Sequence, residues 1–370
     1  MKVLVTGADG FIAKNLLMRL AESGEFEVAK FSRQTPAQVL PALVQDIDAV
    51  VHLAGINRPK SPEEFITGNT NLTEQLCAAL AATERSIPVI FSSSTQAEYD
   101  NLYGKSKRDA EKTLWAYSEQ TQSSVYIYRL PNVFGKWCKP NYNSVIATFC
   151  HNITRGLPIT INDPSVTLTL VYIDDLIDEF FRVMRDRPAI SSRKICQVPK
   201  EYVATVGEIA ITLETFCNSR KTLITETVGT GLLRALYSTY VSYLPPESFS
   251  YPVAQHSDQR GVFVEMLKTQ ESGQFSFFTA HPGVTRGGHY HHTKTEKFLV
   301  IKGKARFGFR HILTGETHEI YTIGEQTQIV ETVPGWSHDI TNIGDNEMIV
   351  MLWSNEIFDR NRPDTYAHSV

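Results

Sequence analysis

The sequence predicts two domains of different class: an amino-terminal α/β domain on a doubly wound parallel sheet, then an all-β domain, a sandwich or barrel. Three observations predict it. The chain has 370 residues, enough for two domains at about 150 residues each. Up to residue 244, short β-branched runs alternate with helical stretches, the rhythm of buried parallel strands joined by crossover helices. Beyond that point helical periodicity fades, and short strands separated by Gly-rich turns follow one another, as in antiparallel sandwiches and barrels.

In chain order, strands are expected at 3–5, 27–31, 49–53, 89–91 and 124–128, with helices from about 12, at 73–82 and at 106–117. In the second half, strands are expected at 275–279, 297–301, 305–310, 319–323, 327–330 and 348–353. The proline-bearing stretch 245–252 reads as a stiff linker, which gives domains 1–244 and 253–370. Hydrophobic residues at 42% and charged residues at 21% fit a globular chain. With 36 basic against 40 acidic side chains the formal charge is −4, which removes the broad basic surface of a nucleic-acid binder. Five dispersed cysteines without a C-x-x-C pair argue against a disulfide framework and for reduced thiols in a cytoplasmic protein. No apolar run reaches the length of about 18 residues needed to span a bilayer, and residues 1–6 read as a strand rather than a leader. The expectation is a soluble, unexported chain with no membrane insertion.

The first strand runs into Thr6-Gly7-Ala8-Asp9-Gly10-Phe11-Ile12-Ala13. Gly7 permits the tight turn, and Gly10 lets backbone N–H groups approach a pyrophosphate at the helix N-terminus. A strand before and a helix after make Thr6, Gly7, Asp9, Gly10, Phe11 and Ile12 a candidate dinucleotide site. At the end of the second strand, where an acidic residue would bind the ribose of NAD, stand Ser32 and Arg33. They suit a 2′-phosphate, so NADPH is the expected cofactor. Tyr103 and Lys107 lie four apart, which puts both on one helix face and lets the ammonium lower the tyrosine pKa. A tyrosine so tuned donates a proton to a carbonyl oxygen as hydride reaches its carbon. The strand at 89–91 delivers Ser92, Ser93 and Ser94 to the carboxyl edge of the sheet, where one hydroxyl can orient the carbonyl.

These residues resemble the extended short-chain dehydrogenase/reductase family, with its T-G-x-x-G-x-x-[GA] turn, serine and Y-x-x-x-K helix. The resemblance implies a Rossmann-type fold with Tyr103 as acid, Lys107 as its tuner and cofactor contact, and Ser94 as hydroxyl partner. His52-Leu53-Ala54-Gly55 is similar to the family's fourth-strand turn, which places Leu53, Ala54 and Gly55 beside the cofactor. The segments 129–135, with Asn132, and 171–175 resemble its substrate side in nucleotide-sugar enzymes. About 245 residues leave this family's substrate-binding portion reduced.

In the second half, His289 and His291 alternate on a strand, Glu296 opens the returning strand, and His338 follows Pro334-Gly335-Trp336-Ser337. Three imidazoles and a carboxylate suit a divalent transition metal. The spacing resembles the cupin pattern G-x5-H-x-H-x4-E-x6-G, implying a jelly-roll barrel with those four as ligands. Pro334 and Gly335 are adjacent where cupins usually separate them, so His338 is the least typical ligand. Zinc is the first choice because sugar epimerisation needs no redox metal; iron, manganese and nickel also suit the set. His292 is expected to point away from the cluster. Asp258-Gln259-Arg260-Gly261-Val262-Phe263-Val264-Glu265 is similar to the entry segment of cupin-fold epimerases of 4-keto deoxysugar nucleotides, which implies substrate contacts from Asp258 and Arg260.

A 4-keto sugar nucleotide suits both halves. The hydrogen beside a ketone is acidic because a nearby cation stabilises the enolate, and reduction of the same ketone traps the epimer. His292, Lys294, Lys297, Arg310, His311 and Tyr321 are all candidate bases. As a whole the chain resembles the CapF/WbjC-type bifunctional capsular-polysaccharide enzymes. That implies a homodimer that epimerises a UDP-2-acetamido-2,6-dideoxy-4-hexulose at C3 and reduces it at C4 with NADPH. The implied product is UDP-2-acetamido-2,6-dideoxy-L-talose, a precursor of UDP-N-acetyl-L-fucosamine for capsule or O-antigen. The alternatives are an NADPH-dependent reductase whose cupin only scaffolds a dimer, and a redox-sensing binder that reports NADPH occupancy.

Overall fold

The computed structural model describes residues 1–190, 193–258, 261–264, 266–269, 273–356, 359 and 361–370. It comprises two compact units, one of residues 1–133 and 169–203, the other of residues 134–168 and 204–370.

The first unit is built on a six-stranded parallel sheet. Its strands in chain order are β1 (Lys2–Thr6), β2 (Glu27–Phe31), β3 (Ala49–His52), β4 (Val89–Ser94), β5 (Val125–Leu130) and a short edge, Ile195–Cys196. The spatial order is β2-β1-β3-β4-β5-edge, and all pairs are parallel. Because β2 and β3 flank β1, the order reverses there, and ligands of open α/β sheets bind at such a switch point. Val3, Leu4, Val5, Val50 and Val51 are fully buried, as strands covered on both faces must be. Helix α1 (Phe11–Ser23) buries Ala13, Leu16 and Leu20, and Gly24 stops it at φ 65°. The helix Leu102–Thr121 starts where the Asn101 side chain accepts the Gly104 N–H at 2.8 Å. Ala110, Leu114 and Tyr117 then form its buried stripe.

The second unit contains two five-stranded antiparallel sheets, the jelly roll expected of a cupin. One sheet has the order Ser250–Pro252, Gln328–Glu331, Glu296–Lys302, Met348–Ser354, Gln274–Ala280. The other has the order Thr317–Ile323, Lys304–His311, Trp336–Asn342, Thr285–Tyr290, Tyr366–Ala367. Their inner faces meet where Phe298 packs against Phe307 at 5.7 Å and His338 at 6.3 Å between ring centroids.

The stretch read as a linker belongs to this unit. Ser250–Pro252 pairs with Gln328–Glu331, and Phe249 is fully buried against Phe309 and Trp336. An aromatic ring beside the prolines supplied the apolar area that a free linker lacks. The preceding helices Val206–Thr222 and Gly231–Val241 are tied to the same barrel. Arg220 bonds Glu331, Arg234 bonds Thr293, and Ser238 donates to the Thr293 carbonyl at 2.8 Å. The compact units therefore do not divide at residue 244. No helix among the described residues is long and apolar enough to cross a membrane, and all five cysteines are free thiols.

Candidate active site and metal centre

At the switch point, the turn after β1 lies against the turn after β3. Gly7 has φ 66°, and a Cβ there would sit 2.7 Å from the Ala54 nitrogen, so the contact requires glycine on both conformational and steric grounds. The Gly10 N–H donates to the Gly7 carbonyl at 2.8 Å, and Gly10 caps α1 with no side chain in the way. Asp9 and Gly10 are exposed, Phe11 and Ile12 half-buried, so the helix N-terminus is open to an anion.

Thr6 is turned inward. Its hydroxyl accepts the N–H groups of Leu53 and Ala54 at 3.1 and 3.2 Å and bonds His52 Nδ1 at 2.6 Å. Burial first, then the charge of Lys107, lowers the His52 pKa to about 3, so the ring is neutral. Thr73 donates to the Asn69 carbonyl at 2.7 Å, so it accepts from His52 Nε2 at 3.0 Å. Nδ1 then accepts from Thr6, and each donor in the relay Thr6–His52–Thr73–Asn69 meets an acceptor. Thr6 thus shapes the floor on which Leu53, Ala54 and Gly55 sit. That turn follows the third strand, not a fourth. Ser32 and Arg33 lie just past β2, where the Thr35 N–H bonds the Ser32 carbonyl at 3.1 Å and Arg33 is exposed.

Tyr103 is half-buried against Phe65, 5.6 Å between ring centroids. One turn on, Lys107 is only 5% exposed, donates to the Ser92 carbonyl at 2.9 Å and lies 4.9 Å from the Phe91 ring. Burial, opposed by the Glu111 carboxylate, lowers its pKa to about 8. The three serines separate by their partners. Ser93 donates to Glu111 at 2.5 Å, and Ser92 donates to the His52 carbonyl at 3.4 Å. Ser94, half-buried at the strand end, accepts the Gln96 N–H at 3.1 Å and keeps its proton for another acceptor. Asn132 is exposed and donates to the Thr169 carbonyl at 3.2 Å.

Three residues that sequence reading passed over hold this site. Asn69 accepts the Ile56 N–H at 2.7 Å and donates to the Ile56 carbonyl and to Ser106, clamping the β3 turn to the Tyr103 helix. Gly104 fits beneath the preceding turn, where a Cβ would lie 2.2 Å from the Gln96 carbonyl oxygen. Glu111, 1% exposed, bonds Ser93 and forks onto Arg129 at 2.8 and 3.0 Å. Only the glycine inside Y-G-K-S-K was visible beforehand, as a residue at odds with helix propensity.

In the barrel, the ligand atoms of His289, His291, Glu296 and His338 all lie within 4.8 Å of one another. The backbone arranges this. A bulge between Gly287 and His289 sets His289 opposite His338 on the neighbouring strand, and Glu296 opens the strand Glu296–Lys302. Burial first, then the adjoining imidazoles, lowers His289 to about 3, and burial lowers His338. Burial pushes Glu296 up, but His291 and His338 reverse this and hold it well below the carboxylate range. His291 Nδ1 contacts the Asp364 carbonyl at 2.6 Å and must be the donor, because that oxygen has no proton. Nε2 faces Glu296 Oε2 at 3.2 Å, a contact that a proton on Nε2 or a metal ion held between the two atoms satisfies. His338 Nδ1 is buried with no hydrogen-bond partner among the described residues. A divalent metal with bonds of about 2 Å fits this donor set.

Around the cluster, His292 does point away, but it is 2% exposed and stacks edge-on to Tyr290 and Tyr366. Lys294 lies 3.7 Å from Glu296. Lys297 is ion-paired with Glu331, His311 Nδ1 accepts two loop N–H groups, and Tyr321 is 59% exposed and bonded to Glu319. Asp258 ends the strand Gln255–Asp258, paired with Gly261–Val264; Arg260 lies outside the described residues.

The parallel sheet with its glycine turn and Tyr–Lys helix face defines a nicotinamide-dependent carbonyl-chemistry class, here joined to a jelly roll with a metal-type cluster. Comparison agrees. The NAD dependent epimerase/dehydratase family matches residues 3–198, and the polysaccharide biosynthesis C-terminal domain matches residues 256–366. A UDP-2-acetamido-2,6-beta-L-arabino-hexul-4-ose reductase of Pseudomonas aeruginosa is 60% identical over 370 residues, 100% of this chain and 99% of that one. The crystal structure of the capsular polysaccharide assembling protein CapF from Staphylococcus aureus superposes with a TM-score of 0.69 at 43% identity, covering 100% of both chains. The spore coat polysaccharide biosynthesis protein SpsL of Bacillus subtilis is 26% identical over 121 residues, 30% of this chain and 80% of that one. The chain belongs to the NAD dependent epimerase/dehydratase family, and within it to the CapF/WbjC type.

Proposed function

We propose that this chain is a cytoplasmic, homodimeric enzyme that epimerises a UDP-2-acetamido-2,6-dideoxy-4-hexulose at C3 and then reduces its C4 ketone. The product is UDP-2-acetamido-2,6-dideoxy-L-talose, a precursor of UDP-N-acetyl-L-fucosamine. Reduction is assigned to the glycine-turn and Tyr103 site of the first unit, and epimerisation to the four-residue cluster in the barrel. The full-length likeness to a hexul-4-ose reductase supports the substrate class. The observation that carries the reductase reading is Lys107, a buried ammonium held under the end of β4 on the helix face of Tyr103.

NADPH, when bound, supplies the hydride. The turns at Gly7–Ile12 and Leu53–Gly55 would hold its pyrophosphate side, with Ser32 and Arg33 at the 2′-phosphate. Tyr103 gives its proton to the C4 oxygen. Lys107 favours the phenolate left behind, and Ser94 orients the carbonyl through its free proton. Asn132, Asp258 and Arg260 are assigned to the sugar nucleotide. In the barrel, His289, His291, Glu296 and His338 would hold a divalent metal, zinc by first choice, which supplies Lewis acidity beside a carbonyl.

The test is incubation with the UDP-activated 4-keto sugar and NADPH, following NADPH absorbance and product stereochemistry by NMR. Tyr103→Phe is expected to lower turnover by about 10²–10⁴-fold with NADPH binding intact. Unchanged turnover would remove Tyr103 from the reaction.

A further inference from the structure

Residues 364–368 clasp the segments that carry His289, His291 and His338. Tyr366–Ala367 pairs with Thr285–Tyr290, setting Ala367 opposite His289. The His368 N–H donates to the Gly288 carbonyl at 2.9 Å, and the Ser337 hydroxyl donates to the His368 carbonyl at 2.5 Å. Tyr366 stacks on Tyr290 at 5.5 Å. Asp364 is the centre of this strap. Its carboxylate accepts the N–H groups of His292, Thr293 and Lys294 at 3.0, 2.8 and 2.8 Å and the Thr293 hydroxyl at 3.0 Å. Its own carbonyl takes the His291 Nδ1–H. Its φ of 36° is one that few side chains other than Asp and Asn adopt readily.

We infer that Asp364 is a positioning residue of the metal centre: by gripping the 292–294 turn it brings its main-chain carbonyl onto His291, fixing the tautomer that leaves Nε2 for the metal. The inference rests on the reading of the four residues as metal ligands. The carbonyl cannot be deleted by substitution, but the carboxylate that places it can. Such outer partners govern ligand orientation and typically change metal affinity by about 10–100-fold.

The test uses the full chain and Co²⁺. Titration gives its affinity, and proton NMR of the Co²⁺-loaded protein shows the exchangeable ring N–H of a coordinated histidine as a far-shifted line. Wild type is expected to show such a line for His291, its exchange slowed by the bond from Nδ1–H to the Asp364 carbonyl. In Asp364→Gly, which tolerates the φ but lacks the acceptor, affinity is expected to fall about 10–100-fold and the line to broaden away by exchange. Asp364→Asn keeps the φ and one acceptor oxygen and is expected to lie between them, which a loss of folding alone would not produce. A near-ultraviolet dichroism spectrum equal to wild type certifies each fold. Wild-type affinity and an intact line in both Asp364 variants would overturn the inference. Failure of the wild-type chain to bind Co²⁺ would instead overturn the metal reading itself.

Discussion

Lys107→Met should uncouple stability from activity, and the size of the effect follows from burial. Displacement of a lysine from 10.5 to about 8 corresponds to about 3 kcal/mol of preference for the neutral form. Below about pH 8 the folded chain holds a buried ammonium while the unfolded chain holds a solvated one. The cost is therefore complete at pH 7, declines as pH rises from about 8 to 10.5, and vanishes above. Methionine fills the same volume without the charge. It also leaves the Ser92 carbonyl without this donor, a loss of about 1–3 kcal/mol that does not depend on pH. At pH 7 the two effects nearly cancel or favour the variant. By pH 9.5 the balance should have moved against the variant by about 2 kcal/mol. Urea unfolding of both chains at the two pH values, read on the transition that NADPH shifts, measures this directly, because all other titrations are common to both. Turnover should fall by about 10²-fold or more. A stability gap that is the same at both pH values would refute the claim that Lys107 is held charged against its burial.

Gly7→Ala should weaken NADPH binding by about tenfold or more, since it adds left-handed strain of about 1–2 kcal/mol to a clash with Ala54; a fluorescence titration with unchanged affinity contradicts this. Arg33→Ala should reduce the NADPH-over-NADH preference by about 10–100-fold through loss of a charge-assisted bond, and an unaltered ratio would exclude Arg33 from the 2′-phosphate. Glu331 faces two cations, Lys297 and Arg220. Burial alone would raise its pKa, but these cations lower it to about 2. Its contribution is thus complete above about 4.5 and lost as pH falls toward 2. Glu331→Gln should destabilise by about 3–5 kcal/mol, and thermal melts across that acid range should show wild type converging on the variant. His291→Ala should abolish metal binding and C3 epimerisation while hydride transfer to an already epimerised ketone survives.

The candidate site residues were grouped by spacing: Tyr103 and Lys107 share a face of one helix, while His289 sits on the strand Thr285–Tyr290 and His291 just past its end. Of the eight strands between 274 and 354, six were readable as ranges from alternation and turn glycines, while Thr285–Tyr290 and Trp336–Asn342 were not given bounds. What holds the sites together was not readable, because it depends on tertiary proximity. Glu111, Asn69 and Asp364 are ordinary polar residues in the sequence, and only the fold brings Asp364 to the turn after His291, 73 residues earlier. The 245–252 stretch was misread for a related reason: prolines signal stiffness, but Phe249 had a core to enter. Thr6 shows a subtler limit. The motif placed it at the cofactor turn, yet its hydroxyl serves the β3 turn from beneath.

The central claim is that one ketone receives a proton exchange at C3 and a hydride at C4 from this polypeptide. Its most direct test is mass spectrometry of the UDP-activated 4-keto sugar after incubation in deuterium oxide with metal-loaded enzyme and no NADPH. The account predicts one solvent deuteron at C3 with Tyr103→Phe as active as wild type, and none with His291→Ala. A wild-type chain that exchanges nothing at C3 while still oxidising NADPH on an epimerised ketone would contradict it, leaving a reductase with a structural barrel.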